Sequence, residues 1–396
     1  MDFIHYLQAL EIILANAQSF GKEIIDLDDS LNRVIGENVF ADRDYPPFNR
    51  SAMDGIAIDS KDVENNITQF TIIQTIYAGE ACDLILKPGQ CFKIMTGAAV
   101  PLCADAVIRV EDIELNQNTA SILVNDVKKF QNIATQGQDI KNGELAIPIG
   151  TKIKPTVIGL LASLGKSKVQ INKMPTVAII TTGGEVKPID ETVCDVQIRN
   201  SNLHVIKSLL KQNNIEPLYC QHIIDNEKLL EAGIKNYLDV DILILCGGVS
   251  AGDADFVPSV LSSLGVQKLF HKVAIKPGKP IWCGKKPKGA MVFALPGNPF
   301  SCLVTFTIFI QAFIHKAVGL PQNVHKILPL NNQRSQKTKF DEFFPVIINY
   351  ENQTLNSVAI NGSGDIRLGL QANGLALHPA AKGDLDMGEI LGYWDM

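Results

Sequence analysis

The eight cysteines build no recognisable framework. Cys82, Cys91, Cys103, Cys194, Cys220, Cys246, Cys283 and Cys302 include no C-x-x-C pair, and no Cys/His group has zinc-ligand spacing. Several sit in apolar runs such as Asp241-Ile-Leu-Ile-Leu-Cys246, which reads as small buried hydrophobes in a reducing compartment. Positive charge is not concentrated either. Lys and Arg number 36 against 42 Asp and Glu, a net charge of −6, and no basic stripe offsets it. That argues against a nucleic-acid partner and leaves small anions, which need only a local basic pocket. The N-terminus lacks a basic leader and a cleavage site. Phe3, Tyr6, Leu7, Leu10, Ile13, Leu14 and Ala17 recur at helical spacing instead, so an amphipathic helix is expected there rather than a signal peptide. The most apolar run, Leu303 to Ile314, is too short to span a bilayer and is interrupted by Gln311. These absences lead to the expectation of a cytoplasmic protein with no membrane partner. The seven His organise no site, and His271 reads as structural.

What is present is a chain of 396 residues, long enough for two to four domains, with 46% hydrophobic and 20% charged residues, which suits folded domains with real cores. Four blocks are expected. Residues 1–42 and 140–173 form a helical segment. Residues 43–139, with short β-type runs between Gly, Pro and Asn, form an inserted β-rich domain. Residues 174–320 alternate strand and helix, which implies an α/β domain with a mostly parallel sheet covered on both faces. Residues 321–396 form a small C-terminal β domain.

In such a sheet, ligands bind beyond the carboxyl ends of the strands. Three glycine-bearing loops fall there: Thr181-Thr-Gly-Gly-Glu185, Gly247-Gly-Val-Ser-Ala-Gly-Asp253, and Leu295-Pro-Gly-Asn-Pro299. Glycine lets the backbone approach a ligand and turn N–H groups toward oxyanions. Gly247, Gly248, Ser250, Pro296, Gly297 and Asn298 are therefore candidate binding residues. Asn298 is a suitable N-cap and Pro299 a suitable first helical residue. Tight βα turns often need Gly for geometry alone, so one loop means little; three on one sheet, two carrying acids, point to an anion-handling site. Glu185, Asp225, Asp253 and Asp255 follow expected strands, and carboxylates beside a phosphate loop suit Mg²⁺. Lys272, Lys276 and Lys279, in His271-Lys-Val-Ala-Ile-Lys-Pro-Gly-Lys-Pro280, supply point charges for an oxyanion. In the β-rich block, Ser51 and Asp54 lie in Asn49-Arg-Ser-Ala-Met-Asp-Gly55, and Thr96 follows a strand in Met95-Thr-Gly97. Taken alone, these are ordinary turn residues.

The strings Asn49-Arg-Ser-Ala-Met-Asp-Gly55, Ile94-Met-Thr-Gly97, Gly137-Gln-Asp139, Gly247-Gly-Val-Ser250, Ile275-Lys-Pro-Gly-Lys-Pro280, Leu295-Pro-Gly-Asn-Pro299 and Gly362-Ser-Gly-Asp365 together resemble the MoeA / gephyrin E-domain family of molybdopterin molybdenumtransferases. They cover nearly the whole chain in the family's order. The resemblance implies a MogA-like α/β sandwich domain, a C-terminal β-barrel-like domain and a homodimer. It implies insertion of molybdate into adenylylated molybdopterin with release of AMP, the last step of molybdenum cofactor biosynthesis, with Mg²⁺ and with a MogA-type adenylyltransferase as a partner. Glu185, Asp225 and Asp255 would hold Mg²⁺ or position water. Lys272, Lys276 and Lys279 would bind molybdate and phosphate oxygens. Ser363 would lie near the molybdate. Asp54, Thr96 and Asp139 would come from the opposing subunit.

Three positions depart from the family pattern. Gly184 stands where an acid is common, Ala134-Thr135 where a basic residue is common, and Phe344-Pro345 where an arginine is common. A molybdopterin adenylyltransferase-like enzyme and a non-catalytic pterin-binding scaffold are the alternatives. The Arg50-Ser-Ala-Met-Asp54 domain argues against the first, while the missing basic residues motivate the second.

Overall fold

The computed structural model describes residues 3–249, 255–321, 325–365 and 367–396. Ser250 and Asp253, both candidates above, lie outside the described residues. The chain divides into two compact units. One comprises residues 1–36, 152–154 and 168–396; the other comprises residues 37–151 and 155–167.

The first unit is built on a six-stranded α/β sheet. Its strands are β1 (Val177–Thr182), β2 (Tyr219–Ile223), β3 (Ile242–Cys246), β4 (Gln267–His271), β5 (Trp282–Lys285) and β6 (Met291–Leu295), in the spatial order β2-β1-β3-β6-β5-β4. β2, β1, β3 and β6 run parallel; β5 and β4 close one edge antiparallel. Side chains alternate across a strand, and both faces of the central strands β1, β3 and β6 are covered, so these read as largely apolar runs rather than as alternation. Ile179, Ile244 and Phe293 face one core, with Ile206 and Leu210 from the helix Ser201–Gln212. Ile180, Leu245 and Val292 face the other, with Leu230 and Ile234 from Glu227–Lys235 and Val260 and Leu261 from Val257–Ser263. Asn200 caps its helix through Oδ1, which accepts from the Leu203 N–H at 3.2 Å.

The helix from Pro299 extends on both sides of the apolar run Leu303 to Ile314. It continues to Ala317 through a π-turn at Phe306–Ile310, and its 19 residues are long and apolar enough to cross a membrane by length and composition. Its most apolar stretch is 78% buried inside the unit, and Phe306, Phe309, Phe313 and Ile314 pack in the first core. A helix apolar on all sides serves here as a core helix.

Residues 1–42 contain one α-helix, Tyr6–Ala15; Lys22–Asp26 is instead a strand pairing antiparallel with Lys168–Asn172. Its residues alternate between exposed and half-buried, the period of a strand rather than of a helix. The C-terminal sheet has the order Ile275–Lys276, Asp341–Asn349, Gly374–His378, Ile390–Asp395, Lys326–Pro329, with Thr354–Ser357 beside Asp341–Asn349. Ile275 and Lys276 pair in parallel with Asp341 and Glu342, so the lysine loop of the α/β sheet is stitched to the C-terminal sheet.

The second unit carries a six-stranded sheet in the order Ala106–Arg109, Gly55–Ile58, Gln90–Ile94, Gln69–Ile76, Thr119–Ile122, Ile113–Asn116. Its two faces hold separate cores, one around Ile56, Ile58 and Phe70, the other around Phe92, Ile94 and Val107. The helix Pro155–Ser163 belongs to this unit.

Candidate functional site

Two cavities on the first unit gather residues singled out in the sequence. The smaller, about 260 Å³, lies at the carboxyl ends of the parallel strands and takes its wall from Thr182, Glu185, Asp225, Gly247, Gly248 and Asp255, among others. All three strand-end loops singled out in the sequence contribute to it. Gly247 and Gly248 have φ of +104° and +65°, and a Cβ on Gly247 would meet the Thr182 carbonyl oxygen at 2.8 Å. Glycine is thus required there both for backbone conformation and for close approach. Polar side chains fix the loops. Asn200 Nδ2 donates to Thr181 Oγ1 at 2.7 Å, Asn202 Nδ2 donates to the Gly297 carbonyl at 2.7 Å, and Thr182 Oγ1 donates to Asp225 Oδ1. Neither asparagine stood out in the sequence as a site residue.

Glu185, Asp225 and Asp255 share this pocket. Among the described residues, however, no three His, Cys, Asp or Glu side chains close on one point as a ready-made metal cluster. Asp225 is already engaged by Thr182. The donor set suits a hard cation whose remaining ligands are water and substrate phosphate, the usual arrangement for Mg²⁺.

The larger cavity, about 960 Å³, lies between the lysine loop, the Pro296–Asn298 turn and the C-terminal sheet. Lys276, Lys279, Pro296, Gly297, Asn298 and Ser363 line it, as do Arg334, Lys337 and Glu342, which the sequence reading did not select. The signal available was the basic run Arg334-Ser-Gln-Lys-Thr-Lys339 just ahead of a strand. Asn298 occupies the N-cap, but its side chain makes no capping bond; Nδ2 reaches Ser363 Oγ at 2.9 Å instead. The Phe300 N–H donates to the Ser363 carbonyl at 3.1 Å, so the helix start and the Ser363 turn hold each other. That turn is itself braced. The Arg367 guanidinium first, then the backbone N–H groups of Arg367 and Asn361, hold the Asp365 carboxyl well below the usual carboxylate range. Gly297 lines both cavities, so the Pro-Gly-Asn-Pro loop is their common wall.

Lys272 lines neither cavity. It follows β4 with a left-handed φ of 71°, and its N–H donates to the Ile281 carbonyl at 2.9 Å. His271 places Nε2 3.2 Å from the Val249 carbonyl, and burial lowers its pKa.

In the second unit, Asp54 and Thr96 come together although 42 residues separate them. Asp54 Oδ1 accepts from the Thr96 N–H and Oγ1, each at 2.7 Å. Those bonds, the backbone one first, hold the exposed Asp54 carboxyl below its ordinary value. The stability this contributes is present above the ordinary carboxylate range and is lost as pH falls through the lowered pKa. Thr96→Val removes the hydroxyl and keeps the N–H, so Asp54 should titrate higher but still below an unbonded aspartate; side-chain carboxyl NMR shifts against pH measure this. Ser51 is buried, its Oγ donating to the Met53 carbonyl at 2.6 Å. Asp139 is exposed in a turn whose N–H donates to the Tyr45 carbonyl at 2.9 Å.

Comparison with known proteins adds to this geometry. The model for the MoeA N-terminal region (domain I and II) matches residues 4–165, and that for a probable molybdopterin binding domain matches residues 178–316. A molybdopterin molybdenumtransferase of Bacillus subtilis is 31% identical over 379 residues, covering 92% of this chain and 88% of that protein. One of Haemophilus influenzae is 32% identical over 374 residues, covering 93% and 92%. The crystal structure of the molybdopterin biosynthesis MoeA protein of Pyrococcus horikoshii superposes with a TM-score of 0.84 at 28% identity, covering all of both chains.

Proposed function

The chain belongs to the MoeA family, and from that premise we propose that it is a molybdopterin molybdenumtransferase, joining molybdate to adenylylated molybdopterin and releasing AMP. The observation that carries this reading is the common wall. A pocket with acids and glycine N–H groups and a cavity with lysines and an arginine meet at the Pro296–Pro299 loop. The first suits a phosphoanhydride, the second an oxyanion, and the reaction needs both side by side.

In this reading the strand-end N–H groups around Gly247 and Gly248 take phosphate oxygens. Lys276 and Lys279 neutralise molybdate, with Ser363 as a neutral donor. Glu185, Asp225 and Asp255 would hold Mg²⁺ together with substrate phosphate. The bound ion would supply charge neutralisation at the phosphoanhydride. No side chain is needed as a nucleophile; fixed positive charge aimed at the leaving phosphate carries most of the rate.

The same reading makes the protein a homodimer. Asp54, Thr96 and Asp139 of one copy would serve the pocket of the other, and a MogA-type adenylyltransferase would supply the substrate. Light scattering on the purified protein measures its oligomeric state, and a monomer would remove this part. The function itself is tested by adding adenylylated molybdopterin, molybdate and Mg²⁺ to the purified chain. AMP release, followed chromatographically, is expected; its absence overturns the assignment.

A further inference from the structure

The larger cavity has two unlike walls. Lys276 and Lys279 on one side are exposed, on flexible stems. Arg334 on the other is 10% exposed and gripped on three sides. Its guanidinium carbon lies 4.0 Å from the centre of the Phe344 ring, one terminal nitrogen pairs with Glu342 Oε1 at 3.0 Å, and the other donates to His378 Nδ1. That bond uses the Nδ1 lone pair and puts the ring hydrogen on Nε2, which faces the Gly383 carbonyl. Phe344-Pro345 brings no charge of its own, yet Phe344 is the platform on which a cation rests. Glu342 is the strand partner of Lys276, so the Arg334–Glu342 pair stands at the seam between the walls. Its second oxygen, Oε2, is buried without a hydrogen-bond partner.

A purely structural staple would be expected to satisfy both carboxylate oxygens, because an unpaired buried one is costly. It would also have no reason to sit where three further cations converge on one open cavity. We propose that Arg334 is the fixed cation of the oxyanion subsite, a specificity-determining residue that meets a tetrahedral dianion together with Lys276 and Lys279. Glu342 is its positioning residue. It holds the guanidinium fork in place and, as the single acid among the described residues of the cavity wall, opposes the anion and keeps its affinity moderate. The planar fork matches two oxygens at once, which a lysine cannot reproduce. This inference rests on reading the cavity as the molybdate site.

The test is equilibrium dialysis of the full chain against sodium molybdate at low ionic strength. Arg334→Met is expected to weaken binding about tenfold or more, and Arg334→Lys to recover only part of it. Glu342→Gln keeps the side chain's shape and removes the opposing charge, so it should tighten binding severalfold. A structural role alone would predict weaker or unchanged binding in Glu342→Gln. If Arg334→Met folds poorly, that opposite sign still decides the matter. Unchanged affinity in a folded Arg334→Met overturns the inference and leaves the molybdate assignment standing. Failure of the unaltered chain to bind molybdate overturns both.

Discussion

Asp255→Asn is expected to slow AMP release by about 10²–10³-fold, the range seen when one electrostatic element of a preorganised site is lost. The side chain lines the strand-end pocket with Glu185 and Asp225. Asn has nearly the same shape, so the loop should keep its conformation while the site loses a formal charge. Pterin binding should therefore survive, because the backbone N–H groups at Gly247 and Gly248 and the lysines of the neighbouring cavity are untouched. Single-turnover AMP release measures the first quantity, and fluorescence titration with molybdopterin measures the second. Raising Mg²⁺ should restore part of the rate if the carboxylate acts on the cation. Unchanged turnover would remove Asp255 from the reaction, and a joint loss of turnover and binding would make its role structural. Retained binding with lost turnover would also rule out a purely scaffolding protein.

Gly55→Val should be the most damaging single change for the strand-rich unit. Gly55 lies in the second strand of its six-stranded sheet, opposite Arg109 on one side and Ile94 on the other. A Cβ there would come within 1.8 Å of the Ile108 carbonyl oxygen, a backbone atom that cannot rotate away. The strands would have to separate, breaking the ladder and opening the core around Ile56, Ile108 and Phe70. Overpacking against side chains costs about 1–3 kcal/mol, and backbone contact should exceed that range. The earliest transition in urea unfolding, followed by circular dichroism, should fall by at least that amount, or the variant should accumulate only as insoluble protein. A midpoint within about 0.5 kcal/mol of the parent would show that the sheet shifts to accept the side chain. Gly55 follows Asp54 directly, so weakened strand pairing should also loosen the Asp54–Thr96 contact.

Much of the α/β sheet was legible in the chain. Ile242–Cys246, Met291–Leu295 and the first four residues of Val177–Thr182 are apolar because both of their faces are covered, and no polar alternation blurs them. The glycine loops at their ends were legible for a related reason: positive φ and close backbone approach admit almost no other residue. Lys22–Asp26 was not legible as a strand. Five residues of mixed polarity gain their β conformation from pairing with Lys168–Asn172, about 145 positions away, and no local pattern encodes that partner.

The site divides the same way. Residue type and local spacing by themselves singled out the strand ends as a candidate anion site, because glycine, proline and lysine in those loops answer local demands of backbone conformation and charge. Only the tertiary structure decided what shares a cavity. It left Lys272 outside both pockets, turned Asn298 from its capping role toward Ser363, and brought Arg334 onto Phe344, beside the position where a cation is absent from the sequence. Pairing between distant segments sets such neighbours, through the register of Ile275–Lys276 on Asp341–Glu342 and the stacking of one side chain on another. A guanidinium ten residues before Phe344 can therefore share a cavity with lysines from another strand, since electrostatic fields act across space and not along the backbone.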